Sequence, residues 1–293
     1  MLLDDCPICG SGNLANVYRV KDYTVTECNE CGLVFVRDDV PTDEIKRVYG
    51  TGYFKNPAWC NTVNEDELLG YDDYADDKKN IRDKFEKILD ITKRYAQSGP
   101  LLDVGCGLGF FLQLAKERGF GPVQGVDISA YAVDYCVNKL GLDALLGDLL
   151  DVQLTTGSFD IVTMFDVLEH FKNPKGELLE AYRIVRHNGF LAIITPDIGA
   201  LIPKLLKDRW EEIKRVPEHL VFFSRRTLTN VLSDTGFHVV ESRYIGKRMS
   251  FGSFLSHVFV NTGIKINLKR VPSINIGIPV NPFYKLLLIA RKV

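Results

Sequence analysis

Short apolar runs alternate with helical periodicity over most of this chain. Residues 78–94 carry apolar positions at Ile81, Phe85, Ile88, Leu89 and Ile91, the spacing of one helix face. Leu101-Leu102-Asp103-Val104 reads as a buried strand, and 110–118 as a helix closed by Gly119. A second strand at 123–126 leads to a helix over 130–140, with Ser129 as cap and Gly141 as stop. Strands follow at 142–146 and 159–164. Asn173-Pro174, an N-cap and an N1 proline, opens a helix that runs to about His187, and 189–195 is a fifth strand. A helix over 224–234 and strands at 236–244 and 286–290 complete the pattern. This βαβα rhythm predicts an α/β fold, a parallel sheet with helices on both faces and its ligand at the C-terminal strand ends.

The flanking zones read differently. Residues 1–38 hold paired cysteines and short alternating runs at 16–20 and 33–36, which suit hairpin strands. Residues 41–80 are rich in Tyr, Asp and Asn and look like loops and short helices. The stretch 247–282 is apolar but shows no clear period. It suits the floor of a greasy acceptor pocket, a homodimer contact, or a site that touches a membrane-linked intermediate.

Composition narrows the class. A chain of 293 residues at 46% hydrophobic and 25% charged has room for one large domain and a small one. A net charge of −2 gives no basic field for nucleic acid. The first residues, Met-Leu-Leu-Asp-Asp, place acids where a signal peptide needs a basic and then an apolar run. No stretch reaches the ~18 apolar residues of a membrane span. Seven cysteines, four of them in two tight pairs, suit a metal and a reducing compartment, so the expected location is cytoplasmic.

The chemistry begins at "LLDVGCGLGFF", residues 101–111. A strand runs into Gly105-x-Gly107-x-Gly109 and straight into a helix, so a ligand can approach the backbone without Cβ obstruction. A dinucleotide loop would require glycine at 110, where this chain has Phe110. Asp103 sets a carboxylate beside the turn, which suits a cationic amine better than a pyrophosphate. Asp127 ends the second strand in "GVDIS", where an acid can accept ribose hydroxyls. Asp148, in "GDLLD", is offered to an adenine amino group.

Together with "FDIVTMFDVLEH" and "HNGFLAIITPD", these motifs resemble class I S-adenosylmethionine-dependent methyltransferases over roughly residues 78–246. The resemblance implies a Rossmann-like seven-stranded sheet and S-adenosylmethionine as cofactor. It places Asp103, Gly105, Cys106 and Gly107 on the methionine part. Asp127 and Ile128 would meet the ribose and adenine, Asp148 and Leu149 the adenine, and Phe165 would face the cofactor. Tyr71 and Tyr74, in "GYDDYADD", would fold over the sulfonium, with a cation–π contribution; Tyr53 and Phe54 are weaker candidates for the same role.

Methyl transfer from a sulfonium needs alignment in a dry pocket, and a hydroxyl acceptor must also lose a proton. His170 closes "FDVLEH" at the rim where the acceptor belongs. The stretch resembles ubiquinone-pathway O-methyltransferases, in which an acid-x-x-Glu-His cluster goes with a divalent metal; Asp166, Glu169 and His170 match it. His219 lies in "WEEIKRVPEHLVFFS", between the fifth strand and the next helix. There Trp210, His219, Phe222 and Phe223 suggest an aromatic wall with one base. The phrase is similar to one in methyltransferases of polysaccharide and secondary-metabolite pathways, many with N-terminal cysteine pairs. The catalytic candidates are therefore His219, His170 and Glu169. His187 reads as a helix-dipole partner, and nothing recommends His238 or His257.

The spacing Cys6-x2-Cys9-x18-Cys28-x2-Cys31 fits a tetrahedral zinc site with four thiolates and no open position, hence a structural one. Gly10 and Gly32 follow the pairs. Residues 1–40 carry Arg19, Lys21 and Arg37 against seven acids, so this lobe is a poor nucleic-acid binder. Cys60, Cys106 and Cys136 read as buried thiols.

The expected organisation is a zinc-ribbon lobe at 1–40, a linker or lid at 41–77 and a methyltransferase domain at 78–293 with insertions at 197–223 and 247–282. The expected activity is O-methylation of a sugar, nucleotide-sugar or secondary metabolite with a histidine base. Two alternatives stand beside it: C-methylation of a nucleotide-linked keto-sugar, and a zinc-ribbon nucleic-acid binder or RNA methyltransferase.

Overall fold

A computed structural model describes residues 2–42, 45, 49, 78–250, 277–280 and 283–293, with backbone alone for 78–81, 247–250 and 277–280. Tyr53, Phe54, Cys60, Tyr71, Tyr74, His257 and most of 247–282 lie outside the described residues.

Seven strands form the main sheet: β4 (Leu101–Val104), β5 (Val123–Asp127), β6 (Asp143–Leu146), β7 (Phe159–Phe165), β8 (Val185–Pro196), β10 (Phe237–Tyr244) and β13 (Lys285–Lys292). Their order is β10-β13-β8-β7-β4-β5-β6. Strands β8, β7, β4, β5 and β6 run parallel, whereas β13 is antiparallel to both β8 and β10. The continuous apolar runs of β4, β7, β8 and β13 are what a sheet covered on both faces requires.

The intervening helices are α1 (Lys78–Thr92), α2 (Phe110–Glu117), α3 (Ala130–Asp134) and α4 (Pro174–Ile184). Asn173 accepts the Gly176 amide at 3.0 Å, as its N-cap position requires. After α3 the chain widens into a π-helical turn, Tyr135–Lys139, where the periodicity predicts continuous helix. Helix α4 stops at Ile184. His187 therefore lies within β8 and is no helix-dipole partner. Beyond β8 come α5 (Leu201–Leu206), α6 (Glu211–Lys214) and α7 (Arg225–Asp234), the last opened by a Ser224/Thr227 capping box.

The N-terminal lobe contains β1 (Leu14–Val20), β2 (Tyr23–Cys28) and β3 (Val34–Val36). The lobe sheet is completed by β9 (Val221–Phe222), drawn from the 197–223 region, in the order β1-β2-β3-β9. A two-stranded pair, β11 (Lys247–Ser250) and β12 (Gly277–Val280), brings the ends of the 247–282 region together.

Strand β3 lies at a seam. Leu33 and Phe35 belong to the main core with Val162, Met164 and Leu178, while Val34 and Val36 belong to a second core with Trp210, Ile213 and Phe222. The expected aromatic wall is thereby corrected. Trp210 packs edge-on against Tyr284 at 5.5 Å and shares the second core with Phe222, but Phe223 points into the main core. Phe222 ends β9 and Phe223 follows it in sequence, and side chains of successive extended residues point to opposite sides.

Candidate active site

The glycine loop follows β4 directly. Gly105 has φ +72°, and a Cβ there would come within 2.6 Å of the Val167 side chain, so both conformation and space demand glycine. Asp127 ties the loop down: its Oδ2 accepts the Gly107 amide at 2.8 Å and its Oδ1 the Ser129 amide at 2.8 Å. Ser129 thus engages through its amide, and its hydroxyl makes no cap bond. Each Asp127 oxygen retains a lone pair for a further donor.

Asp103 is 4% exposed and accepts from Thr163 Oγ1 at 2.6 Å. Burial pushes its carboxyl up to about 7. Cys106 is buried, and Cys136 donates its thiol to the Gly107 carbonyl at 3.3 Å. Ile128 and Asp148 are half-buried and Leu149 is fully buried; Asp148 accepts the Asp151 amide at 2.9 Å. Phe165, at the end of β7, stands edge-on to Phe111 at 4.9 Å. Asp103, Gly105, Cys106, Gly107, Asp127, Ile128, Asp148, Leu149 and Phe165 therefore all belong to the C-terminal ends of β4–β7 or the turns beyond them. A doubly wound sheet holds ligands at that edge.

The loop after β7 leans on this site through Val167. Asp166, at φ +52°, does not join Glu169 and His170 as the sequence pattern suggests. Lys84 of α1 and Lys285 of β13 each donate to one of its oxygens at 2.9 Å. These two ammonium groups outweigh burial and hold Asp166 well below the usual carboxylate range. Lys285 also pairs with Glu212 at 3.2 Å.

Glu169 and His170 form a short 3-10 turn, Leu168–His170. Glu169 is 2% exposed; its Oε2 accepts from Thr195 Oγ1 at 2.9 Å, and burial pushes its carboxyl up to about 8. His170 Nδ1 lies 2.8 Å from the Glu218 carbonyl and 2.7 Å from the Tyr49 hydroxyl. A carbonyl only accepts, so Nδ1 carries the proton and the neutral ring keeps its lone pair on Nε2. Burial lowers the pKa of His170 and, more strongly, that of His219.

His219 is 1% exposed, stacked edge-on behind His170 with ring centroids 4.7 Å apart. Its Nδ1 stands 3.7 Å from Glu212 Oε2. Three buried atoms here have no hydrogen bond among the described residues: Glu169 Oε1, Glu212 Oε2 and His219 Nδ1. One donor atom each from Glu169, His170 and His219 falls within 4.8 Å of the others, a set able to hold a divalent cation. Sequence reasoning missed Lys84, Lys285, Glu212 and Tyr49. Lys84 and Lys285 lie 82 and 119 residues from Asp166, beyond any local signal.

In the lobe, Cys6 Sγ lies 3.6 Å from Cys31 Sγ and Cys9 Sγ 3.5 Å from Cys28 Sγ. A tetrahedral Zn–S4 cage with bonds of about 2.3 Å has S···S edges of about 3.8 Å, so the four sulfurs fit zinc. The amides of Gly10 and Gly32 donate to the carbonyls of Cys6 and Cys28, closing the two turns. Burial pushes the Cys6 thiol up to about 11 and Cys31 higher still, while amides of Glu30 and Cys31 offset burial at Cys28 and lower it. Buried thiols this reluctant to ionise need a cation to become thiolates.

The model of the methyltransferase domain family matches residues 76–242. The chain belongs to that family. Among curated relatives, a mitochondrial ubiquinone biosynthesis O-methyltransferase of Candida albicans is 36% identical over 103 residues, covering 32% of each chain. A malonyl-[acyl-carrier protein] O-methyltransferase of Serratia marcescens is 29% identical over 133 residues, 45% of this chain and 51% of the relative. The methyltransferase-family chain thus spans about a third and a half of these two relatives. A SAM-dependent methyltransferase structure from Archaeoglobus fulgidus superposes with TM-score 0.51 at 20% identity, covering 71% of this chain and 92% of the other. That likeness is one of fold. No helix among the described residues is long and apolar enough to cross a membrane.

Proposed function

We propose that this methyltransferase-family chain methylates a hydroxyl of a small-molecule acceptor, with His170 as general base. The observation that carries the reading is the His170 Nδ1 contact with the Glu218 carbonyl, 2.8 Å, which leaves Nε2 as the unprotonated nitrogen of a half-buried ring. S-adenosylmethionine supplies the electrophilic methyl group. Asp103, Gly105, Gly107, Asp127, Asp148 and Phe165 hold it at the strand ends, and His170 Nε2 takes the proton that leaves the acceptor oxygen. His219, wholly enclosed, backs the His170 ring instead of reaching a substrate. Two named O-methyltransferases among the relatives support oxygen as the acceptor atom. Sugars, nucleotide-sugars and secondary metabolites are the acceptor classes we favour, and C-methylation beside a carbonyl would use the same base.

The reading extends to the rest of the chain. Residues 1–40 form a structural zinc lobe and 78–293 the catalytic domain; Tyr71 and Tyr74, in the 41–77 linker or lid, lie outside the described residues. Free cysteines throughout the described residues support a reducing, cytoplasmic setting. An acidic lobe argues against nucleic acid.

The test is transfer of labelled methyl to a panel of such acceptors. His170→Ala should lower turnover by about 100-fold or more with cofactor affinity unchanged. A loss below about threefold would overturn the assignment of the base. The proximity of Glu169, His170 and His219 favours one second reading, a divalent cation held there. Full activity after exhaustive chelation of added divalent ions removes it.

A further inference from the structure

The four-cysteine lobe and the His170 centre are joined by a chain of main-chain bonds. Strand β3 begins three residues after Cys31, and the Cys28 amide donates to the Leu33 carbonyl at 2.9 Å. The cysteine turn therefore sets the start and register of β3. Val34 and Phe35 pair with Phe222 and Val221, and the Val36 amide donates to the Leu220 carbonyl at 2.8 Å. The Leu220 amide in turn donates to the Glu169 carbonyl at 2.9 Å. Glu218, whose carbonyl fixes the His170 tautomer, and His219 directly precede Leu220.

A second tie runs beside the first. Lys172, two residues past His170, donates to Asp39 Oδ1 at 2.7 Å and to the Val40 carbonyl at 2.9 Å. Both arms of the histidine centre, the 168–172 turn and the 218–222 segment, thus rest on the segment just after the second cysteine pair. Strand β9 is only two residues long. Two residues cannot hold extended order alone, so β9 takes its geometry from β3.

We propose that the metal-bound lobe is the positioning element of the His170 centre, so that loss of its metal disorders that centre and spares the cofactor site. A lobe of some 35 residues has too small a core of its own to fold alone, so a bound metal adds to what its packing against the large domain supplies. Apolar packing of Leu33 and Phe35 keeps β3 near the main core without the metal, but it does not fix the register on which Leu220 and Glu218 depend. Among the described residues, no main-chain bond from the lobe reaches the glycine loop on the cofactor side. That loop is held by Asp127, Gly107 and Ser129, and β4 is flanked by β5 and β7. The assignment of His170 as base is assumed only for the consequence on turnover.

The experiment compares zinc-loaded full-length protein, the chelator-stripped protein and Val36→Pro. Val36→Pro removes the one donor to Leu220 and leaves all four cysteines. Zinc content, amide hydrogen exchange and S-adenosylmethionine affinity are measured on each. Stripping should lower protection of the Leu220 amide and the 168–172 turn by on the order of 100-fold, with β4 and β5 unchanged within about threefold. Cofactor affinity should stay within about threefold, and re-added zinc should restore protection. Val36→Pro should retain zinc and lose the same Leu220 protection. Unaltered protection at Leu220 in both samples overturns the proposal, as does an equal loss across β4 and β5, which means the metal supports the whole fold. A zinc-loaded protein that fails to bind S-adenosylmethionine sinks the methyltransferase reading instead, and the exchange comparison still decides this one.

Discussion

Asp103 shows how one residue's environment sets its task. A carboxyl 4% exposed, with one hydroxyl donor, is about half protonated at pH 7, because burial has lifted it to about 7. Its raised folded pKa has a defined sign. The stability it contributes is fully present below the unfolded value near 3.9 and is lost as pH rises through about 7. A bound ammonium group would reverse the preference by pairing with the ionised form. If Asp103 meets the amino group of the cofactor, affinity should weaken by up to about tenfold per pH unit below pH 7. Calorimetry between pH 5.5 and 8 checks this, and Asp103→Asn should remove the slope. Affinity independent of pH across that range would place the amine elsewhere. The position of Asp103 was legible from "LLDVGCG", since a carboxylate two residues before the glycine turn sits at the strand end. Its degree of burial was not, because Thr163 and the covering layers come from distant segments.

At the scale of elements, the junction of α1, β7 and β13 is decided by charge. Asp166 is clamped by Lys84 and Lys285, with side chains between 13% and 24% exposed, so each partner is largely withdrawn from water. Removing the carboxylate charge leaves two ammonium groups facing one another beside the buried Glu169. Asp166→Asn should therefore destabilise the fold by about 3–5 kcal/mol, the range for breaking a buried ion pair from one side. Urea unfolding measures it; a change under about 1 kcal/mol would mean that the pairs behave as exposed ones. The strands and helices themselves were legible, since β4, β7 and α4 follow their apolar periods and caps. The pairing of "FDVLEH" was not. By sequence Asp166 stands in line with Glu169 and His170, but a left-handed backbone at Asp166 turns its side chain to the lysines.

For the whole molecule, the lobe is wedged between two cores. Phe35, 1% exposed, packs in the main core although it stands four residues from Cys31. Phe35→Ala should lower global stability by about 3–5 kcal/mol, the usual result of truncating a buried aromatic ring. In the zinc-loaded protein the midpoint of β4 and β5 exposure should move together with that of the lobe. Were the lobe a pendant module, the main sheet would keep its midpoint and only the first 40 residues would melt early. A single coincident transition by fluorescence and exchange separates the two cases.

The chain's own order of residues determined the α/β class, the glycine loop, the acids at the strand ends and the cysteine quartet. Each of these depends on short-range periods, caps and spacings that a linear string displays. Tertiary structure alone decided that β9 completes the lobe sheet, that Phe222 and Phe223 go to different cores, that Lys84 and Lys285 claim Asp166, and that His170 carries its proton on Nδ1 while His219 is enclosed. Those outcomes depend on contacts between segments tens to more than a hundred residues apart, where burial and charge neutralisation, not local propensity, select the partner.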